Sequence, residues 1–234
     1  MNSELERVSE HMLTLGLGAL AHANLHANFA SDQNNSWPEL SVLQAAHAAE
    51  ILIKARIAQE HPLLIFEKFT PSRKATDDYL ELKHLFEGGK TIQYQELPER
   101  LWATTGIDLK KLLNIEKYKD FGKLRNCIQH FAPPREVDFC EETINFIYEV
   151  IDPFINNCWG LYAIDYNEDA LEERFFLIEG LISRGIKFLV SPNAVECCGG
   201  DMDFDWPKNN PSYEQEMRLR FAISQFTEQN DKPS

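Results

Sequence analysis

The chain has 234 residues, of which 44% are hydrophobic and 26% charged, ordinary fractions for a globular protein with one large core. Its 23 Lys and Arg stand against 37 Asp and Glu, a formal charge of −14. That balance excludes a protein that coats nucleic acid or anionic lipid through a broad positive surface. No apolar run approaches the roughly 18 residues of a membrane span, and the opening MNSELERVSEH has no signal-peptide pattern, so a cytoplasmic protein with no membrane association is expected. Five cysteines, odd in number and without a C-x-x-C, make neither a disulfide framework nor a zinc module.

Taken in chain order, Leu5, Val8, Met12, Leu15 and Ala19 recur at helical spacing and predict a helix from Ser3 to Ala30. The polar run from Ser31 to Ser36 breaks it, and Pro38 sits where a following helix tolerates proline. That helix, rich in Ala, Leu, Glu and Lys, is expected from Glu39 to Glu60, ending before Pro62. Thr76 can cap a third helix that Gly88 and Gly89 close, a short helix starts near Pro98, and a turn covers Leu109 to Leu113. A helix from Asp120 to Ala132 stops at Pro133 and Pro134. A longer one, Glu141 to Ala163, carries Pro153 and should kink there. Another helix runs from Glu168 to Ser183, with Gly185 as its stop. Beyond it, Ile186 to Val190 reads as a short strand, and Tyr213 to Glu228 as a last helix. The expected architecture is all-α to about residue 165, with a small mixed C-terminal appendix over 166–234 that packs on it.

The helix from Asp120 to Ala132 holds the densest chemistry. Phe121, Leu124, Cys127, Ile128 and Phe131 form one apolar stripe, while Arg125, Asn126, Gln129 and His130 share the other half. A solvent face more often carries Glu and Lys. A fixed cation, two amides and an imidazole suit a polar pocket. His130, in the last turn, lies at the end of the helix dipole that favours imidazolium. An imidazole that moves protons beside a permanent guanidinium matches the needs of phosphodiester cleavage. Residues 106–135 also carry seven Lys or Arg against three Asp or Glu, a local balance of +4, so the remainder carries −18.

Arg125-Asn-Cys-Ile-Gln-His130 resembles the Arg-x4–6-His motif of HEPN domains, including the polar residue after the arginine. The stretch Leu43 to Arg56 is similar to the family's second helix, and the resemblance covers about residues 5–160. It implies an antiparallel α-helical bundle, frequently a homodimer in which two Arg/His pairs converge on one cleft. Many members are metal-independent endoribonucleases of toxin–antitoxin, CRISPR or anti-phage systems. On that resemblance His130 is the general acid or base for attack by the ribose 2′-hydroxyl, Arg125 binds the scissile phosphate, and Asn126 orients substrate or histidine. RNA is then the substrate, no cofactor or metal is required, and an antitoxin or defence-system protein is an expected partner. Some family toxins are silenced by modification of a tyrosine two residues beyond the motif histidine. Ala132 stands there, so that control is not expected.

A second Arg-x4-His spacing, Arg56 to His61, is set aside because Ile57 follows its arginine and Pro62 follows its histidine. Geometry also constrains the chosen pair: residues five apart on an ideal helix point about 140° from one another. The arginine must curl round, the helix end must distort, or a symmetry mate must complete the pair.

Glu50 falls among Leu43, Ala46, Ile53 and Ile57 on the apolar face of the second long helix, where an unpaired carboxylate is costly. Lys54 one turn on and Arg125 across the bundle are its candidate partners. With Gln129 it is a supporting residue, placed to position Arg125. His22 and His26 have a spacing that can share a metal but lack an intervening carboxylate motif. The acidic loop Cys197 to Asp205 lacks the glycine and the final glutamate of a calcium loop. No metal site is expected at either. The alternative of a different class is a non-catalytic helical interaction module that binds a protein or nucleotide in the same cleft. The −14 charge favours it, and the Arg125/His130 face favours the ribonuclease.

Overall fold

Small side chains bring the first two long helices together. A computed structural model describes residues 3–29, 31, 34–68, 89–132, 134–167, 172–198 and 219. After a first turn, α1 (Ser3–Glu6), helix α2 (Val8–Asn28) runs antiparallel to α3 (Trp37–Glu60). A Cβ on Gly16 would stand 2.8 Å from the Leu52 side chain, so only glycine permits that approach. Ala45, Ala46, Ala48 and Ala55 of α3 are fully buried. Their short side chains let α3 serve as the central helix, with neighbours on every side.

Those neighbours are α4 (Leu97–Thr105), α6 (Ile115–His130) and α7 (Phe139–Phe146), with the short α5 (Leu109–Leu112) between the first two. Gly106, at φ +77°, ends α4 in the left-handed conformation. Helix α6 starts five residues earlier than the expected Asp120, because Asn114 caps it, accepting the Lys117 N–H at 3.3 Å. Tyr118, Phe121 and Gly122 form its buried face. Phe131, expected in that stripe, is 85% exposed, because the chain leaves helical geometry there.

Pro153 leaves its mark as a π-helical turn, Ile147–Ile151, between α7 and α8 (Asp152–Trp159). Proline has no N–H and crowds the preceding turn, and the ladder widens so that the Asp152 N–H reaches the Ile147 carbonyl. Two short strands, β1 (Phe66–Lys68) and β2 (Lys90–Thr91), pair antiparallel with an irregularity between Phe66 and Lys68. Neither was expected. The helix read from Thr76 to Gly88 lies outside the described residues.

After α8 come α9 (Glu172–Ser183) and α10 (Pro192–Cys198). Leu177, Ile178, Leu181, Ile182 and Phe188 join the same hydrophobic cluster as α2 and α3. The strand expected over Ile186 to Val190 is not formed. Among the described residues that run has no partner strand: Phe188 turns into the core and the Leu189 N–H bonds to the Asp152 carboxylate at 2.9 Å. The described part of the appendix is therefore helix and coil, and the strands lie before residue 165. Its expected last helix is described only at Leu219.

A sealed polar knot joins these parts. Asn24 donates to the carbonyls of Ala163 and Tyr166 at 3.0 Å each and accepts from the Tyr148 hydroxyl at 3.1 Å. Asp152 accepts N–H groups from Ala163 and Leu189, yet its burial pushes its carboxyl up to about 6. Among the described residues no helix is long and apolar enough to cross a membrane.

Candidate functional site

The middle of α6 faces a cavity of about 310 Å³ whose opposite wall is the irregular stretch after β2. Arg125 and Asn126 line it from α6, Glu50 from α3, and Thr91, Gln93 and Gln95 from the strand and the turn that follows. The floor is Tyr94. Its ring stacks on Tyr118 at 4.3 Å and 2°, and the two residues exchange bonds, each hydroxyl donating to the other's carbonyl at 3.2 and 2.8 Å. Burial pushes both phenols well above their ordinary range, so they remain neutral donors. Gly122 makes room for this pair: a Cβ there would stand 2.6 Å from the Tyr94 ring.

Arg125 is braced from several sides. Its Nη2 donates to Glu50 at 3.0 Å, and its Nη1 donates to Asn126 at 3.0 Å and to Gln129 at 3.3 Å. The guanidinium also lies over the Tyr94 ring, 5.6 Å from its centre. The second oxygen of Glu50 accepts from Lys54 at 2.6 Å, and Lys54 reaches the Thr91 hydroxyl at 3.3 Å. Glu50 thus meets both bases considered for it, and its half-buried charge stays compensated from two directions.

His130 stands apart. It is exposed at the end of α6, lines no part of the cavity, and its imidazole has no hydrogen-bond partner among the described residues. The structure therefore brings Arg125, Asn126, Glu50 and Gln129 together and leaves His130 out. Asn126, four residues before the histidine, turns its oxygen to Arg125 and not to the imidazole. The competing motif has structural employment: Arg56 pairs with Glu60 at 2.8 Å, and His61 Nδ1 caps the following turn by accepting the Leu63 N–H at 3.2 Å.

Much of the basic segment is neutralised by neighbours. Lys117 pairs with Glu149, Lys119 with Glu116, Lys123 with Asp120 and Lys111 with Asp108. Of its seven bases only Lys110 and Arg135 lack a carboxylate partner among the described residues. No group of three or more His, Cys, Asp or Glu stands ready for a metal among the described residues. His26 instead packs on Trp37, with ring centres 4.5 Å apart.

Sequence reasoning missed Tyr94, Gln93 and Gln95, which lie some thirty residues before the motif on a short irregular turn. Gly122 was the available signal. A glycine inside a helix is unfavourable and often marks a close approach of another group. No protein-family model, no curated protein and no solved structure matches this chain.

Proposed function

We propose that this chain is a metal-independent endoribonuclease of HEPN type, an antiparallel helical bundle that works as a homodimer in a toxin–antitoxin or anti-phage system. The observation that carries the reading is the placement of Arg125. The guanidinium is held at the wall of a polar cavity, five residues before an exposed histidine on the same helix whose side chain has no hydrogen-bond partner among the described residues. It carries five N–H groups, and its bonds to Glu50, Asn126 and Gln129 leave the rest for a phosphate oxygen.

In this mechanism the ribose 2′-hydroxyl attacks phosphorus and the bond to the 5′-oxygen breaks. His130 accepts the hydroxyl proton or delivers one to the leaving oxygen, and Arg125 offsets the charge that grows on the non-bridging oxygens. The distance between the cavity and His130 is the reason for the dimer: Arg125 of one copy works with His130 of the other. The exposed ring of Phe131 beside His130 gives that end of the helix an apolar surface for a second copy to cover.

The test is cleavage of labelled single-stranded RNA and tRNA by wild type and by His130→Ala, with and without EDTA. Wild type alone should cut, insensitive to EDTA, leaving 2′,3′-cyclic phosphate and 5′-hydroxyl ends. DNA lacks the nucleophile and should resist. EDTA-sensitive cutting or 5′-phosphate ends would contradict the mechanism. The second reading, a non-catalytic interaction module, draws on the extent to which Arg125 and the surrounding lysines are already paired. Absence of cleavage by folded, dimeric wild type would favour it.

A further inference from the structure

We infer that Tyr94 is a positioning residue, whose ring face restrains the Arg125 guanidinium in the orientation that meets the phosphate. The inference rests on the ribonuclease reading for that phosphate and adds what orients the arginine toward it. Tyr118, Gly122 and Arg125 stand four and three residues apart, so they line one stripe of α6. Tyr94 lies along this stripe. Its ring stacks on Tyr118 at 4.3 Å, rests against Gly122 where a Cβ would come within 2.6 Å, and carries the guanidinium 5.6 Å from its centre.

The slab beneath the arginine is itself anchored. Tyr118 is buried and its ring meets Phe146, which stacks on Phe121 at 3.8 Å. The reciprocal hydroxyl–carbonyl bonds of the two tyrosines and the capping box between Gln93 and Glu96 keep the turn from sliding along the helix. The hydrogen bonds of Arg125 cannot do the same work. A guanidinium donates in its own plane, so Glu50, Asn126 and Gln129 pin its edges, and Gln129 is an exposed amide on the arginine's own helix. Motion out of the plane is what an aromatic face opposes.

The consequence belongs to the reacting step. Charge grows on the non-bridging oxygens only in the transition state, and a donor already in place offsets it without reorganising. A guanidinium free to swing still meets a phosphate but must be ordered as the bond breaks, so loss of the ring falls on kcat more than on KM.

The test measures cleavage of single-stranded RNA and, in parallel, the arginine side-chain NMR signals of the full-length protein. Tyr94→Leu stays apolar and removes the ring; it should lower kcat about tenfold, within the worth of a cation–π contact, and move KM by less than about twofold. Tyr94→Phe returns the ring without the hydroxyl and should recover most of that loss. Because Tyr94 acts through Arg125, Tyr94→Leu should lower kcat by less than about twofold in an Arg125→Lys background. The guanidinium signals of Arg125, identified by their absence from Arg125→Lys, should be shifted upfield by the ring in wild type and Tyr94→Phe and lose that shift in Tyr94→Leu. Where Tyr94→Leu does not fold, Tyr94→Met replaces it in both arms. Losses that multiply in the double variant, or Tyr94→Phe as slow as Tyr94→Leu, would overturn the inference, since Tyr94 would then serve stability alone. Guanidinium signals indifferent to the ring would overturn it as well. A wild type that cuts no RNA but shows the ring-dependent shift would remove the ribonuclease and keep the placement of Arg125 by Tyr94.

Discussion

Arg125 and His130 sit five residues apart on one helix, in opposite surroundings. The arginine is held by a carboxylate, two amides and a tyrosine ring, while the histidine is exposed at the helix end and its side chain has no hydrogen-bond partner among the described residues. A helix makes this unavoidable, because a step of five residues turns the second side chain about 140° from the first. On the proposed ribonuclease reading, one copy of the chain carries the phosphate-binding arginine and the histidine on separate faces, and a complete site needs two copies. Bringing them together is a matter of assembly.

The largest effect that sharpens this contrast is on activity. His130→Ala should reduce RNA cleavage by about 10²–10⁴-fold, the range for loss of a proton-transfer group, and Arg125→Ala by about 10²–10³-fold, the range for loss of a group that stabilises growing charge. Stability should separate them. Arg125→Ala removes charge-assisted hydrogen bonds, for a loss of about 1–3 kcal/mol in urea unfolding, whereas His130→Ala should stay within about 0.5 kcal/mol. Equal losses from the two would show that the histidine is braced after all.

Next in size is the wall itself. Gly122→Ala drives a methyl into the Tyr94 ring and should cost about 1–3 kcal/mol. Gly18→Ala, on an open helix surface, should instead add about 0.5–1 kcal/mol. A Gly122→Ala protein as stable as wild type would mean that Tyr94 moves freely and that Arg125 is less firmly seated than its contacts imply.

The knot at Asp152 gives a subtler contrast, a polar network closed to solvent where the Arg125 cavity is open. Its carboxyl titrates near 6 in the fold against 3.8 when exposed, so between those values the folded protein holds a proton that the unfolded chain has released. The contribution of this group to stability therefore rises as pH falls from about 6 to 4 and is flat outside that window. The whole rise is on the order of 3 kcal/mol. Unfolding measured across that range should show the slope in wild type and lose it in Asp152→Asn. An identical slope in both would place the titration elsewhere.

The helices were legible in the sequence because their periodicity and caps are local: Pro38, Pro62 and Gly185 mark ends that the structure keeps. The π turn was legible only as a disturbance, since Pro153 announces a broken ladder without saying how it is repaired. The strands were not legible, because Phe66–Lys68 and Lys90–Thr91 are too short and too charged to show alternation. The run Ile186–Val190 has strand-forming residues but no strand to pair with among the described residues, and the contacts of Phe188 and Leu189 decide its course. At the site, the meeting of Glu50 with Arg125 could be anticipated, since a carboxylate on an apolar stripe needs a cation. The cavity could not, because Gln93, Tyr94 and Gln95 reach it through a turn that no periodicity describes.

The most direct test of the central claim mixes the two inactive proteins. Arg125→Ala and His130→Ala subunits, dissociated together and reassembled, form hybrid dimers that keep one intact arginine and one intact histidine on different chains. If the pair works across the dimer, the mixture should recover cleavage to roughly a quarter of the wild-type rate, half the dimers being hybrid with one complete pair each. Hybrid dimers that form and remain silent beside an active wild type would contradict the account.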